Sequence, residues 1–131
     1  MGSQQHRTGR PRAESGASAV EFALIVPILL TLIFGVLEYA WYFNQQISAT
    51  QGARAAARAH VLHHDEPGFD LLSVANAGSP TLTIDSAVAS TAGCPAGTTV
   101  TVTIAGANDA LLGLFPLPAQ IGAKGAMQCE G

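Results

Sequence analysis

Three groups of residues in this chain have the types and spacing for chemistry. Glu21 is a lone carboxylate at the mouth of an apolar run, since the sixteen residues from Phe22 to Leu37 carry no charge. An acid at the edge of a membrane-length helix is costly unless something answers its charge, so its presence points to a task. Cys94 and Cys129 are the only cysteines. They are too far apart for a CxxC redox or zinc pair, and in an oxidising compartment they read as a disulfide. The third group is His60, His63, His64, Asp65 and Glu66, where His60 and His64 stand at the i, i+4 spacing that can chelate a metal. The HExxH order of zinc hydrolases is missing. A run of ligand-type residues at a helix end is more often a solvated terminus, so no metal and no cofactor is expected. A phosphate-binding glycine loop, a GxSxG elbow and a Cys/His nucleophile pattern are also missing, and the chain reads as a non-enzyme.

The elements that must position these groups begin with the apolar run. From Phe22 to Phe43 it has 22 residues interrupted only by Glu38, about 33 Å of helix at 1.5 Å per residue. That length crosses a bilayer core of roughly 30 Å, so membrane lipid is the first expected partner. Every Tyr and Trp of the chain (Tyr39, Trp41 and Tyr42) falls at the far end of the run, where amphipathic rings prefer the headgroup level. Before the run, Arg7, Arg10 and Arg12 oppose only Glu14; after Gly16, three bases stand against eight acids. The positive-inside rule then predicts a cytoplasmic leader over 1–16, a transmembrane helix over 17–43 and everything later outside the cytoplasm. A cleaved secretory signal is the alternative, but the run is long for one and Tyr39-Ala40-Trp41-Tyr42-Phe43 offers no small-x-small cleavage site. Glu38 is expected in the outer headgroup region beside Tyr39, with no assigned role.

Gly16-Ala17-Ser18-Ala19-Val20-Glu21-Phe22-Ala23-Leu24, followed by Pro27-Ile28-Leu29-Leu30 and Gly35-Val36-Leu37-Glu38, resembles the TadE-like family of pseudopilins from tight-adherence (Flp) pilus systems. The resemblance is specific over residues 16 to 38 and general beyond. It implies that a prepilin peptidase cuts between Gly16 and Ala17 on the cytoplasmic side, with Glu21 and Phe22 in the recognition motif. It also implies a minor pseudopilin, because major Flp pilins are very short and usually carry Tyr after the glutamate. The cut would create an ammonium at Ala17, and i, i+4 spacing puts that group on the same helix face as Glu21. The cation that answers Glu21 is either its own or a neighbouring subunit's; in the second case assembly relieves a desolvated charge and sets register. Simple snorkelling of Glu21 at the interface stays open. Pro27 cannot donate to the carbonyl of Ala23 and predicts a kink or a loosened turn.

Beyond the membrane, the alanine-rich and proline-free stretch over 44–64 favours continuation of the helix. Gln51, Arg54 and Arg58 make a polar stripe, and Ala49, Ala53, Ala56, Ala57 and His60 a small-residue face; Gly52 is the weak point, at about 1 kcal/mol relative to Ala. Pro67-Gly68 and Asn76-Ala77-Gly78-Ser79-Pro80 read as turns opening a small β-rich domain over 65–131. Two alternating segments read as half-buried strands: Thr81–Val88, with Leu82, Ile84 and Val88 on one face, and Thr99–Ile104, with Val100, Val102 and Ile104 on one face. Gln120–Cys129, with Ile121, Ala123 and Met127, is a weaker third. The apolar stretch from Leu111 to Pro118 reads as a loop that covers the core or offers a partner surface. So small a core needs a staple, and a Cys94–Cys129 disulfide would supply roughly 3–4 kcal/mol.

The expected fold class is therefore α+β, a long N-terminal transmembrane helix that continues outside the membrane and carries a small antiparallel sheet of about three strands. The expected function is a minor pseudopilin of a Flp/Tad-type pilus, taking part in pilus assembly and surface adhesion. Its expected partners are the prepilin peptidase, other pilins and pseudopilins, and the assembly platform. The alternative is a single-pass membrane-anchored accessory module of the secretion machinery. The external region, with three bases against six acids and only Phe69 and Phe115 as aromatics, lacks the basic groove and stacking platform of a nucleic-acid binder.

Overall fold

The computed structural model describes residues 12–130, with side chains from Gly16 onward. Arg7 and Arg10 of the expected basic leader lie outside the described residues, as do the side chains of Arg12 and Glu14. The element order is α1 (Arg12–His63), α2 (Leu71–Ala77), β1 (Ser86–Ala89), β2 (Thr99–Ala107) and β3 (Gln120–Gln128). The α+β class is thus the observed one. The chain divides into two units, Met1–Gly35 and Val36–Gly131.

In the first unit the described part is helical and apolar on every side. Val20, Phe22, Leu24, Ile25, Ile28, Leu29, Leu32, Ile33 and Phe34 are all exposed. A helix that is hydrophobic all round belongs in a core or a bilayer. Pro27 sits inside α1, and the Thr31 hydroxyl donates to the Pro27 carbonyl at 2.7 Å, a local hydrogen bond of the kind that bends helices.

The second unit is built around the alanine face. Ala49, Ala53, Ala56 and Ala57 are buried with Leu82, Ile84, Val100, Val102, Ile104, Ile121 and Cys129 in one cluster, while Gln51, Arg54 and Arg58 stay exposed. The sheet is an antiparallel meander in the order β1-β2-β3. Its inner face pairs large with small residues: Val102 opposes Gly125, Ile104 opposes Ala123 and Gly106 opposes Ile121. The small positions on β3 bring it close to α1, and a Cβ on Gly125 would collide with the Ala53 carbonyl. Gly52 plays the same part toward α2, since an added Cβ would stand 2.7 Å from the Ala75 carbonyl oxygen. What reads as a weak point of the helix is where another element packs against it.

Two expectations for this unit are corrected. Residues over 71–77 form a short helix within the domain over 65–131 that was expected to be β-rich, with turns at Pro67-Gly68 and over 76–80. Asp70 caps it, accepting from the backbone N–H groups of Leu72 at 3.1 Å and Ser73 at 3.2 Å. The first strand begins at Ser86, five residues later than Thr81. Asn76 takes the place of a partner strand for Ile84, accepting from its N–H at 2.8 Å and donating to its carbonyl at 3.0 Å, and the Ser79 hydroxyl holds the Leu82 carbonyl at 2.9 Å. The facing then slips: Ala87 and Ala89 pack on the core, and Val88, expected beside Leu82 and Ile84, is 65% exposed. One residue of offset moves a side chain to the other face. β2 begins at the expected Thr99 and runs three residues past the expected Ile104, and β3 falls on the expected Gln120–Cys129 segment, with Val100, Val102, Ile104 and Ile121 buried, although Met127 is 37% exposed. A disulfide joins Cys94 and Cys129, with 5.4 Å between their Cα atoms, and ties the start of the β2 approach to the end of β3.

Candidate functional site

The residues singled out by the resemblance lie in the first unit. Gly16, Ala17, Glu21 and Phe22 are all on α1 and all exposed. An added Cβ on Gly16 would meet nothing. Among the described residues no cation forms an ion pair with Glu21, since the ion pairs found there are His63–Glu66 and His64–Asp65. Helix α1 starts at Arg12, ahead of the Gly16–Ala17 bond. At Gly16 the helix is weaker, since a glycine costs about 1 kcal/mol relative to alanine.

The second acid, Glu38, lies in the second unit, where the structure gives it surroundings the sequence did not reveal. It is 1% exposed. Its Oε2 accepts from the Leu112 N–H at 2.8 Å and its Oε1 from the Gly113 N–H at 3.2 Å. One helical turn on, the Trp41 indole N–H donates to the Asp109 carbonyl at 2.7 Å. Gln45, buried and seven residues after Glu38, donates to the Asp109 carbonyl at 2.9 Å and accepts from the Asp109 N–H at 3.1 Å. Glu38, Trp41 and Gln45 recur at helical spacing, so one stripe of α1 grips the backbone over 109–113 at both ends. Gly113 turns there with φ +68°, a left-handed conformation that favours glycine. Further along the same face, the Ser48 hydroxyl meets that of Ser79 at 3.0 Å and accepts from the Thr81 N–H at 3.1 Å.

The loop gripped in this way does not cover the core, the commoner arrangement for such a segment. Leu111, Leu112 and Leu114 are 52%, 46% and 64% exposed. On the helix of the same unit, Val36, Leu37, Tyr39 and Phe43 are exposed as well, and the Tyr39 and Phe43 rings meet edge to face with centroids 4.9 Å apart. The signal for the grip was present in the sequence as three polar or indole side chains, Glu38, Trp41 and Gln45, on one stripe of α1 where its apolar run ends. Their partners are backbone groups some seventy residues away, which no local pattern names.

The histidine cluster is split among separate contacts. His60 is buried against the rings of His64 and Phe69. His63 Nδ1 meets Glu66 Oε1 at 2.9 Å, and His64 Nε2 meets Asp65 Oδ1 at 3.1 Å. Among the described residues no three His, Cys, Asp or Glu side chains converge to hold a metal.

Residues 16–58 match the family model described as TadE-like protein, the family that the segment from Gly16 to Glu38 resembles. The match includes Gly16, Glu21, Pro27, Glu38 and Gln45 and stops before the loop that Glu38 and Gln45 hold. No curated protein and no solved structure matched the chain. Over residues 16–58, about a third of the chain, helix α1 is similar to that of TadE-like proteins, and among the described residues it is long and apolar enough to cross a membrane.

Proposed function

We propose that this TadE-like chain is a minor pseudopilin of a Flp/Tad-type pilus, cut by a prepilin peptidase between Gly16 and Ala17 and then drawn into the pilus or its base. The observation that carries the reading is the family match over residues 16–58, which frames Gly16, Ala17, Glu21 and Phe22 at the head of a helix whose apolar surface is open all round. Such a surface suits two successive solvents, first lipid and then the helices of neighbouring subunits. The N-terminus lies in the cytoplasm and the second unit outside, where the Cys94–Cys129 disulfide is stable. Pro27 loosens the helix within the span and helps it fit a packed assembly. The membrane lipid, the peptidase, other pilins and the assembly platform are its partners, and surface adhesion is the activity served.

Glu21 acts after the cut. No cation among the described residues is paired with Glu21; its charge is met by an ammonium created at Ala17, and a neighbouring subunit supplies that group during assembly. The test is Glu21→Gln, which keeps shape and much of the polarity. The variant is inserted in membranes but scarce in sheared surface appendages, reduced at least tenfold relative to the unmodified chain, which corresponds to about 1.4 kcal/mol. A variant recovered with sheared pili at the unmodified level removes the charge-pairing role and leaves Glu21 to peptidase recognition alone. A single-pass accessory module is the second reading; it is favoured if the unmodified chain is itself missing from the appendages.

A further inference from the structure

We infer that the loop over 109–115 is a second membrane contact, dipping Leu111, Leu112 and Leu114 into the outer headgroup and acyl boundary beside the helix. The inference rests on the membrane-anchored reading above. Glu38 stands within the apolar run, five residues before its end at Phe43, so it lies about 7 Å inside the exit point at 1.5 Å per residue. A bare carboxylate at that depth is expensive. The loop removes the problem: two backbone N–H groups answer the charge, and the side chain is shut from outside contact at 1% exposure. The same two hydrogen bonds fix the loop at the depth of Glu38.

At that depth the loop presents what an interface accepts. From Ala110 to Ala119 the chain carries no charge, and three leucines are exposed in four residues. Val36, Leu37, Tyr39 and Phe43, which the anchored reading already sets in lipid or at its surface, are exposed on the same unit. Helices that lie in a membrane interface bury their apolar face about 5–10 Å, and the depth set by Glu38 falls in that range. The Gln45 and Trp41 bonds to the Asp109 backbone stop the descent at Asp109, which is exposed. A hydrophobic loop held there gives the second unit its own point of contact with the membrane surface.

The full chain in vesicles of phosphatidylethanolamine and phosphatidylglycerol tests this with single nitroxide labels. Because Cys94 and Cys129 are joined, one added cysteine is the only thiol to label without reductant. Leu112→Cys, Val88→Cys on the exposed side of β1, and Leu29→Cys in the apolar run are compared by their accessibility to oxygen and to a water-soluble nickel chelate. The expected ratio of oxygen to chelate accessibility is about tenfold higher at position 112 than at position 88, and it falls toward the value at 88 when Glu38→Ala is added. A ratio at 112 equal to that at 88, with position 29 still in lipid, overturns the loop insertion and leaves the anchor standing. Position 29 in water overturns the anchored reading itself. Low accessibility to both reagents at 112 assigns the leucines to a protein contact, such as a second copy, and also overturns insertion.

Discussion

Gly125→Val is expected to cost the second unit about 3 kcal/mol or more, the upper range for overpacking a site that cannot relax. The added Cβ meets the carbonyl oxygen and carbon of Ala53 and the amide nitrogen of Arg54, which are helix backbone and cannot rotate away as a side-chain tip can. Moving α1 off β3 instead would open the cluster of Ala49, Ala53, Val102 and Ile104 and lose dispersion contacts along the whole face. The thermal midpoint of the purified chain in detergent, followed by near-ultraviolet circular dichroism, reads the effect. Gly93→Ala is the companion variant: its Cβ meets nothing and its φ is not in the left-handed region, so its midpoint stays within a degree or two of the unmodified chain. Equal midpoints for the two variants would mean that β3 does not rest on α1 as described.

Glu38→Ala has the second large expected effect, and it is local. Two N–H groups lose their acceptors, at about 1–3 kcal/mol in total since the loop can admit some water. Amide hydrogen exchange at Leu112 and Gly113 therefore speeds up by roughly five- to hundredfold, while exchange in β2 changes little. Glu38→Gln retains one acceptor oxygen and sets an NH2 group against the other N–H, so it falls between the unmodified chain and Glu38→Ala. Unchanged exchange at both amides in Glu38→Ala would show that Gln45 and Trp41 hold the loop without the acid.

Much of this architecture was legible because its signals are local and repeated. The alternation of Val100, Val102 and Ile104 with threonines gave a strand with the right face, and the alanine spacing from Ala49 to Ala57 gave the buried side of α1. The same alternation failed at Leu82, Ile84 and Val88. There a side chain, Asn76, satisfies the backbone of Ile84, so the extended segment is buried without a ladder and changes facing before β1 begins. Helix α2 has seven residues, about two turns, which is too short for a periodic pattern to stand out. Its cap, Asp70, followed by Leu71 and Leu72, is the signal in the sequence that the reading of 65–131 did not use. At the site, Glu21 stood out because it begins an uncharged run. Glu38 did not yield a role, because its partners are main-chain donors in a loop that sequence placed only as an apolar connection.

Maturation after Gly16 is read most directly from the intact mass of the full chain, expressed with a prepilin peptidase and extracted from membranes. The predicted mass lacks residues 1–16 and belongs to a chain beginning at Ala17, while Gly16→Phe, which places a ring at the scissile bond, stays at full length. A chain that still begins at Met1 beside a control pilin that the same peptidase has cut, or one that begins beyond Phe43, contradicts it.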